Sequence, residues 1–242
     1  MVMKKFALMM AASIVAASAM AATTASAATN LLTNGSFETG SFSGWTVTNS
    51  ESSSGTGSAA PVVIAYNQAS GYPTGAYGES VPTDNAVNNH SPDAAGNYGA
   101  YFVSDFANPQ TISQTVSLMA GTSYTFGFDI YEPANGAANP NGATFTAMLD
   151  GTPFVTLNAG TDPVTTWLTK SGANSFVANT TGDFTFSFTA NGYPAKDFVI
   201  DRVYLTQTAA IPEPASWALM IGGLGLVGGA LRSRRTMQAT AA

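Results

Sequence analysis

The chain contains no cysteine, which excludes disulfide bonds and any catalytic or metal-binding thiol. Histidine occurs once, as His90 in the polar stretch NNHSPD. A single loop histidine without a cysteine gives little basis for a nucleophile and base pair of the kind found in acyl-transfer hydrolases. We interpret His90 as a solvated side chain. Without disulfides, the protein must be stabilised by its hydrophobic core or by a bound metal.

Basic residues are scarce in the central part of the chain. Between residues 28 and 210 there are thirteen Asp or Glu but only Lys170, Lys196 and Arg202, a formal excess of ten negative charges. Such a field repels phosphate backbones, so we do not expect a nucleic-acid partner.

The first 27 residues have the order of features that defines a secretory signal peptide. Lys4 and Lys5 form a basic start, FALMMAASIVAASAM is apolar, and Ala25-Ser26-Ala27 is a small-residue cleavage site. We therefore expect residues 1–27 to be removed and the mature protein to begin near Ala28.

The C-terminal part contains an uncharged segment, residues 215–231, followed at once by Arg232, Arg234 and Arg235. A helix of this length spans about 25 Å, marginally enough for a hydrocarbon core of about 30 Å. The arginines predict a cytoplasmic end for residues 236–242, with the rest of the mature chain outside the inner membrane.

Pro212, Glu213 and Pro214 stand just before that segment. The prolines cannot continue a helix and hold the chain extended, which presents Glu213 beside the membrane. The tail IPEPASWALMIGGLGLVGGALRSRR, within residues 211–235, resembles the PEP-CTERM sorting signal of Gram-negative bacteria. The resemblance implies that an exosortase-type enzyme processes the protein at the inner membrane. It also implies a cell-surface or extracellular location after processing.

Residues 31–206 show the alternation of apolar and polar residues that is typical of β-strands. We expect residues 28–210 to form the folded domain. In SYTFGFDIY, residues Tyr124, Phe126, Phe128 and Ile130 share one face, and in DFTFSFTA, Phe184, Phe186 and Phe188 do so. About ten to twelve short strands predict an all-β fold in one domain, a two-sheet antiparallel β-sandwich or jelly roll. We expect a signal helix before it and a transmembrane helix after it. Strands are predicted at 30–38 and 164–169, among others, and residues 67–97 form a long loop that is either functional or mobile.

Three stretches resemble carbohydrate-binding modules with the galactose-binding-like jelly-roll fold: NLLTNGSFETGSFSGWT, TISQTVSLMAGTSYTFGFDIY and DFVIDRVYL. In the first, we expect Asn34-Gly35 to supply the positive φ of a tight turn. The resemblance implies a structural calcium held by Glu38 and Asp201, completed by backbone carbonyls or water. The alternative is that Glu38 or Asp201 pairs with Arg202 or is solvated.

Sugar binding requires a flat aromatic ring together with polar groups for the hydroxyls. Tyr72 and Tyr77 in GYPTGAYG are the best loop candidates, and Tyr131 lies opposite the core face of its strand, which favours its exposure. The alternative is that these tyrosines are ordinary packing residues.

The sequence thus predicts an exported protein, not an enzyme, that is associated with exopolysaccharide or biofilm and binds glycan. One alternative is a secreted polysaccharide hydrolase or lyase, because thirteen acids can supply two carboxylates at a catalytic spacing. Asp129 and Glu132 form such a pair, with no distinguishing context. The other alternative is a purely structural matrix component without a ligand.

Overall fold

The computed structural model describes residues 28–49, 60–103, 109–139, 142–149, 151–160, 163–171, 176–177, 181–190, 196–208 and 221–225. The predicted signal peptide, the Pro-Glu-Pro motif and the three C-terminal arginines lie outside these residues.

Eleven strands and one short helix are formed within the described residues. The elements are β1 (Thr46–Asn49), β2 (Val62–Ala65), β3 (Tyr98–Val103), β4 (Pro109–Ser117), β5 (Ser123–Tyr131), α1 (Ala134–Ala138), β6 (Ala143–Leu149), β7 (Thr152–Asn158), β8 (Leu168–Ser171), β9 (Phe176–Val177), β10 (Thr181–Ala190) and β11 (Asp197–Gln207). They build a five-stranded sheet in the order β1-β4-β10-β6-β7 and a second sheet in the order β2-β3-β11-β5-β8, with β9 also paired to β5. Every pairing between the described strands is antiparallel, and the chain passes repeatedly between the two sheets, for example from β3 to β4 and from β4 to β5. The predicted all-β antiparallel sandwich is confirmed.

The main hydrophobic core lies between the two sheets. Phe126, Phe128 and Ile130 of β5 point into it together with Tyr124, as the period-two pattern predicts. Phe145 of the five-stranded sheet packs its ring 5.3 Å from Phe102 and 5.8 Å from Phe128 on the other sheet. Such edge-to-face and tilted aromatic contacts stabilise the sandwich without disulfide bonds.

A second hydrophobic cluster covers the outer face of the six-stranded sheet. It joins strand residues such as Tyr101, Tyr131 and Val199 to Ala76 and Val81, which belong to the long loop predicted at 67–97. The loop is therefore a packed layer on the sheet.

Several local predictions are wrong. Residues 30–38 are not a strand, because only Asn30 pairs, with Thr206, and turns follow it. The strand predicted at 164–169 begins only at Leu168. The short helix α1 was not predicted, since its sequence ANGAA shows no helical periodicity.

The opening turn has the positive φ that was predicted for Asn34-Gly35. The positive φ of 54° falls on Asn34, and Gly35 has a different role, because its position is fixed by close packing on β11.

Within the described residues, no helix is long and apolar enough to cross a membrane. Of the predicted transmembrane segment, only residues 221–225 are described, and they are helical.

Candidate functional site

Two of the predicted sugar-binding tyrosines form one surface feature. The rings of Tyr72 and Tyr77 are stacked, with centroids 5.9 Å apart and planes 12° from parallel. Tyr77 is 43% exposed, whereas Tyr72 is half-buried. The Tyr72 hydroxyl donates to the carbonyl of Ala60 at 3.1 Å. We call this pair the tyrosine platform.

The platform stands on a turn that is well held by hydrogen bonds. The N–H of Glu79 donates to the Ala76 carbonyl at 2.9 Å, and the N–H of Gly78 donates to the Ser70 carbonyl at 2.8 Å. Ala76 is fully buried in the second cluster. The Glu79 carboxylate accepts the backbone N–H groups of Ala134 and Asn135 at 2.8 and 2.9 Å. The turn is thus tied both to the sheet and to the start of α1.

Tyr131, the third predicted tyrosine, does not belong to the platform. It is only 3% exposed, and its ring lies 5.3 Å from that of Trp167. The Trp167 indole N–H in turn donates to the Pro82 carbonyl of the long loop at 2.9 Å. The expected exposure of Tyr131 is wrong because the loop covers the outer face of its strand.

Glu38 lies at the surface, and its carboxylate is hydrogen-bonded to backbone N–H groups. Its carboxylate accepts the Asn97 N–H at 2.8 and 3.0 Å and the Tyr98 N–H at 3.0 Å. These bonds connect the opening turn to the start of β3.

Asp201 is buried in the middle of β11. Its Oδ2 accepts the Tyr66 hydroxyl at 2.8 Å, and its Oδ1 accepts the N–H of Arg202 at 2.6 Å. Burial raises the pKa of Asp201 well above its ordinary value, and the nearby Asp84 and Glu38 charges add to this, whereas the two hydrogen bonds lower it.

The contacts of Glu38 and Asp201 do not by themselves fit calcium, which takes about six to eight oxygen ligands. Both carboxylates are bonded to protein donors, and the described residues contain no group of three or more acidic, His or Cys side chains arranged to hold a metal. A calcium ion at these residues stays a prediction.

Arg202 pairs with neither Glu38 nor the Asp201 carboxylate through its side chain, so the alternative ion pair is wrong. Its Nε lies 2.6 Å from Asp84, and its Nη2 lies 2.5 Å from Asp129 and 2.8 Å from the Ala86 carbonyl. Arg202 has a φ of 45° at an irregularity between Asp201 and Tyr204 in the pairing with β5. This bulge directs the guanidinium to the outer face, where it ties the long loop to the sheet.

Asp84 and Asp129 share the Arg202 charge in a site that excludes solvent, since both side chains are fully buried. Burial, together with a hydrogen bond that the protonated carboxyl donates to Asp84, raises the pKa of Asp129 to about 7. The site is therefore an internal clamp, which we call the Arg202 clamp. Sequence reasoning missed Asp84, because nothing around it in the sequence indicates its partner.

The acid pair considered for catalysis, Asp129 and Glu132, is also internal. Asp129 accepts the Thr169 hydroxyl at 2.7 Å, and Glu132 accepts the Gly160 N–H at 2.9 Å. Both are buried, so their contacts explain them as structural residues.

Solved structures with a similar arrangement of strands include carbohydrate-binding β-sandwich modules. TmCBM61 in complex with β-1,4-galactotriose is 22% identical, with 74% of this chain and 99% of that chain covered and a TM-score of 0.45. A structure of promiscuous carbohydrate-binding modules from the β-sandwich superfamily is 11% identical, with coverages of 73% and 62% and a TM-score of 0.41. A Stig cyclase from Fischerella sp. TAU is 15% identical, with coverages of 75% and 98% and a TM-score of 0.48.

The C-terminal segment of the chain resembles a known sorting signal. Residues 210–235 match the model of the PEP-CTERM protein-sorting motif, so this part of the chain is a PEP-CTERM sorting signal. The motif indicates export through the membrane and processing by an exosortase. No curated protein matches the chain in sequence.

Proposed function

We propose that this protein is an exported surface or matrix protein whose β-sandwich binds polysaccharide through the tyrosine platform. The observation that carries this proposal is the exposed Tyr77 ring, stacked on Tyr72 and fixed by a hydrogen-bonded turn. The PEP-CTERM signal supports the exported location of the body.

The platform supplies the aromatic ring that a sugar-binding surface requires. An aromatic ring covers the apolar face of a pyranose at little entropic cost when it is already held in place. Tyr72 supports the Tyr77 ring from one side, and the buried Ala76 anchors the turn next to it. Of the large exposed hydrophobic side chains in the described residues, Tyr77 is the aromatic one.

The charge of the body narrows the class of glycan. Its formal excess of ten negative charges disfavours polyanionic polysaccharides, since like charges raise the free energy of association. We therefore propose neutral polysaccharides as ligands, including neutral stretches of the host's exopolysaccharide.

The test is the binding of the exported protein to neutral galactans, xylans and host exopolysaccharide, measured by affinity electrophoresis and calorimetry. Tyr77→Ala is expected to weaken binding at least about tenfold, equal to about 1.4 kcal/mol. Tyr77→Phe keeps the ring and is expected to bind nearly as the wild type. Val87→Ala is the matched control, because Val87 is an exposed apolar residue of the same loop.

Equal binding by the wild type and Tyr77→Ala would overturn the role of the platform. No binding to any glycan would favour the structural matrix component. Release of shortened oligosaccharides, lost on changing one Asp or Glu, would identify a hydrolase or lyase.

A further inference from the structure

A groove of about 680 Å³, whose lining includes neither tyrosine of the platform, lies next to the predicted start of the mature chain. Ala28 and Thr29 line it, and so do Ser36, Glu38 and Asp93. The groove lies between residues 28–38 and residues 92–94 at the end of the long loop.

The chain after the predicted cleavage site is firmly bound to the body. Asn30 pairs with Thr206, and the N–H of Leu31 donates to the Leu205 carbonyl at 2.8 Å. The Asn30 amide donates to Asp93 Oδ2 at 2.6 Å and to the Val203 carbonyl at 2.9 Å. Since one residue spans at most about 3.6 Å, the nitrogen of Ala28 stays within about 8 Å of these contacts.

The charged side chains of the groove suit a cation. Of the described residues that line it, two are acidic, Glu38 and Asp93, and none is basic. Ser36 also lines the groove, and its hydroxyl is buried without a hydrogen-bond partner, in a residue only 5% exposed. A buried hydroxyl without a partner costs free energy, so a donor delivered to this groove would stabilise the fold.

We propose that the groove binds the α-ammonium group of Ala28 that signal-peptide removal creates. Hydrolysis of the Ala27–Ala28 bond consumes one water, leaving a carboxylate on Ala27 and an ammonium group on Ala28. The uncut chain offers only a neutral amide with one N–H at this nitrogen. The ammonium group brings a positive charge and three donors, which Asp93 and the Ser36 hydroxyl can accept.

The consequence is a fold that becomes more stable after export. The precursor lacks the ammonium group, so its body is less stable while it must still pass through the membrane. The proposal rests on the predicted cleavage after Ala27 and does not depend on glycan binding.

The test uses the exported protein, with its N-terminus established by mass spectrometry. The pKa of the Ala28 α-amino group is measured by following the Ala28 carbon resonances against pH in a ¹³C-labelled sample. We expect a value at least about one unit above the ordinary 7.7–8.0, because an adjacent carboxylate favours the charged form. Asp93→Asn should return the pKa to the ordinary range. Asp183→Asn, which changes an exposed aspartate of β10, should leave it raised.

A second variant guards against a folding defect in Asp93→Asn. Insertion of Gly-Ser between Ala27 and Ala28 leaves the groove intact but moves the new ammonium group by about two residues. The insertion is made both in the wild type and in Asp93→Asn. The decrease in melting temperature that it causes should be larger in the wild type, which has the Asp93 carboxylate, than in Asp93→Asn.

Three results would overturn the proposal. They are a mature N-terminus other than Ala28, an ordinary α-amino pKa in the wild type, and a raised pKa that persists in Asp93→Asn. An ordinary α-amino pKa together with calcium-dependent shifts of Glu38 and Asp93 would assign the groove to a metal ion instead.

Discussion

At the scale of single residues, Asp197 shows what burial does to an acid at the edge of the core. It is only 2% exposed, its Oδ2 accepts the Tyr101 hydroxyl at 2.5 Å, and its Oδ1 has no hydrogen-bond partner. Burial raises the pKa of Asp197 to about 7, the Tyr101 hydrogen bond lowers it, and the charges of Glu79 and Glu132 raise it further. Below about pH 7, the folded protein therefore holds this carboxyl in its protonated form.

This preference links stability to pH. Because the folded pKa is raised above the ordinary value, the stabilising contribution is fully present below about 3.8 and is lost as pH rises through about 7. Between pH 8.5 and 5.5, Asp197 should add about 2 kcal/mol to the free energy of unfolding. For Asp197→Asn, urea unfolding at a series of pH values should show a gain in the free energy of unfolding between pH 8.5 and 5.5 that is smaller than the wild-type gain by this amount. Asp183→Asn should behave as the wild type, and an unchanged pH dependence in Asp197→Asn would contradict the assignment.

At the scale of elements, β11 contacts both the long loop and the opening turn at one bulge. Its bulge points Arg202 outward to the Arg202 clamp, while Val203 next to it is buried in the main core. The Val203 N–H donates to the Gly35 carbonyl at 2.9 Å, so the same bulge also receives the opening turn. Two segments far apart in the sequence are thus fixed at one irregularity in one strand.

The contact between the opening turn and β11 leaves no room for a side chain at Gly35. A Cβ placed there would lie 2.1 Å from the Val203 carbonyl oxygen, a backbone atom that cannot move aside without disturbing the sheet. Gly35→Ala should therefore lower the free energy of unfolding by about 3 kcal/mol, the upper end of ordinary overpacking.

Gly71→Ala is the matched control for this change, because a Cβ at Gly71 has no atom within 4 Å. Chemical denaturation should place Gly71→Ala within about 0.5 kcal/mol of the wild type. Similar effects of the two substitutions would show that the close approach at Gly35 is relaxed in solution.

At the scale of the whole molecule, the protein combines a cysteine-free sandwich with a sorting signal at residues 210–235. The aromatic contacts between the sheets and the second cluster beneath the long loop stabilise the body. Both clusters are built from described residues that precede Thr206. We therefore expect the body to keep its packing when processing removes the C-terminal segment.

Processing should depend on the residue between the two prolines. In the native host, Glu213→Gln should leave an uncut protein in the membrane fraction, whereas the wild type should lose residues 215–242. Mass spectrometry of the C-terminus and fractionation measure both outcomes. Gln238→Ala, a polar change beyond the arginines, is the control and should be processed normally. Wild-type protein that keeps Arg232 through Arg235 outside the cell would refute the dependence.

The sequence by itself determined the strand periodicity, the inward face of β5 and the sorting signal. Each is a local property, since apolar residues at every second position and a charged end after an apolar run are visible without any partner. The position of Tyr77 in a Gly-rich turn is also a local property that the sequence shows.

Only the tertiary structure decided which faces are covered and which charges meet. Tyr131 was expected to be exposed because it lies opposite the core face of its strand, but Ala76 and Val81 of the long loop, at least fifty residues away along the chain, belong to the cluster that covers it. Arg202 lies next to Asp201 in sequence, yet its side chain pairs with Asp84 and Asp129, since a bulge turns it outward. Such contacts join residues that are distant in sequence, and their free energy depends on burial that no short stretch of the chain reveals.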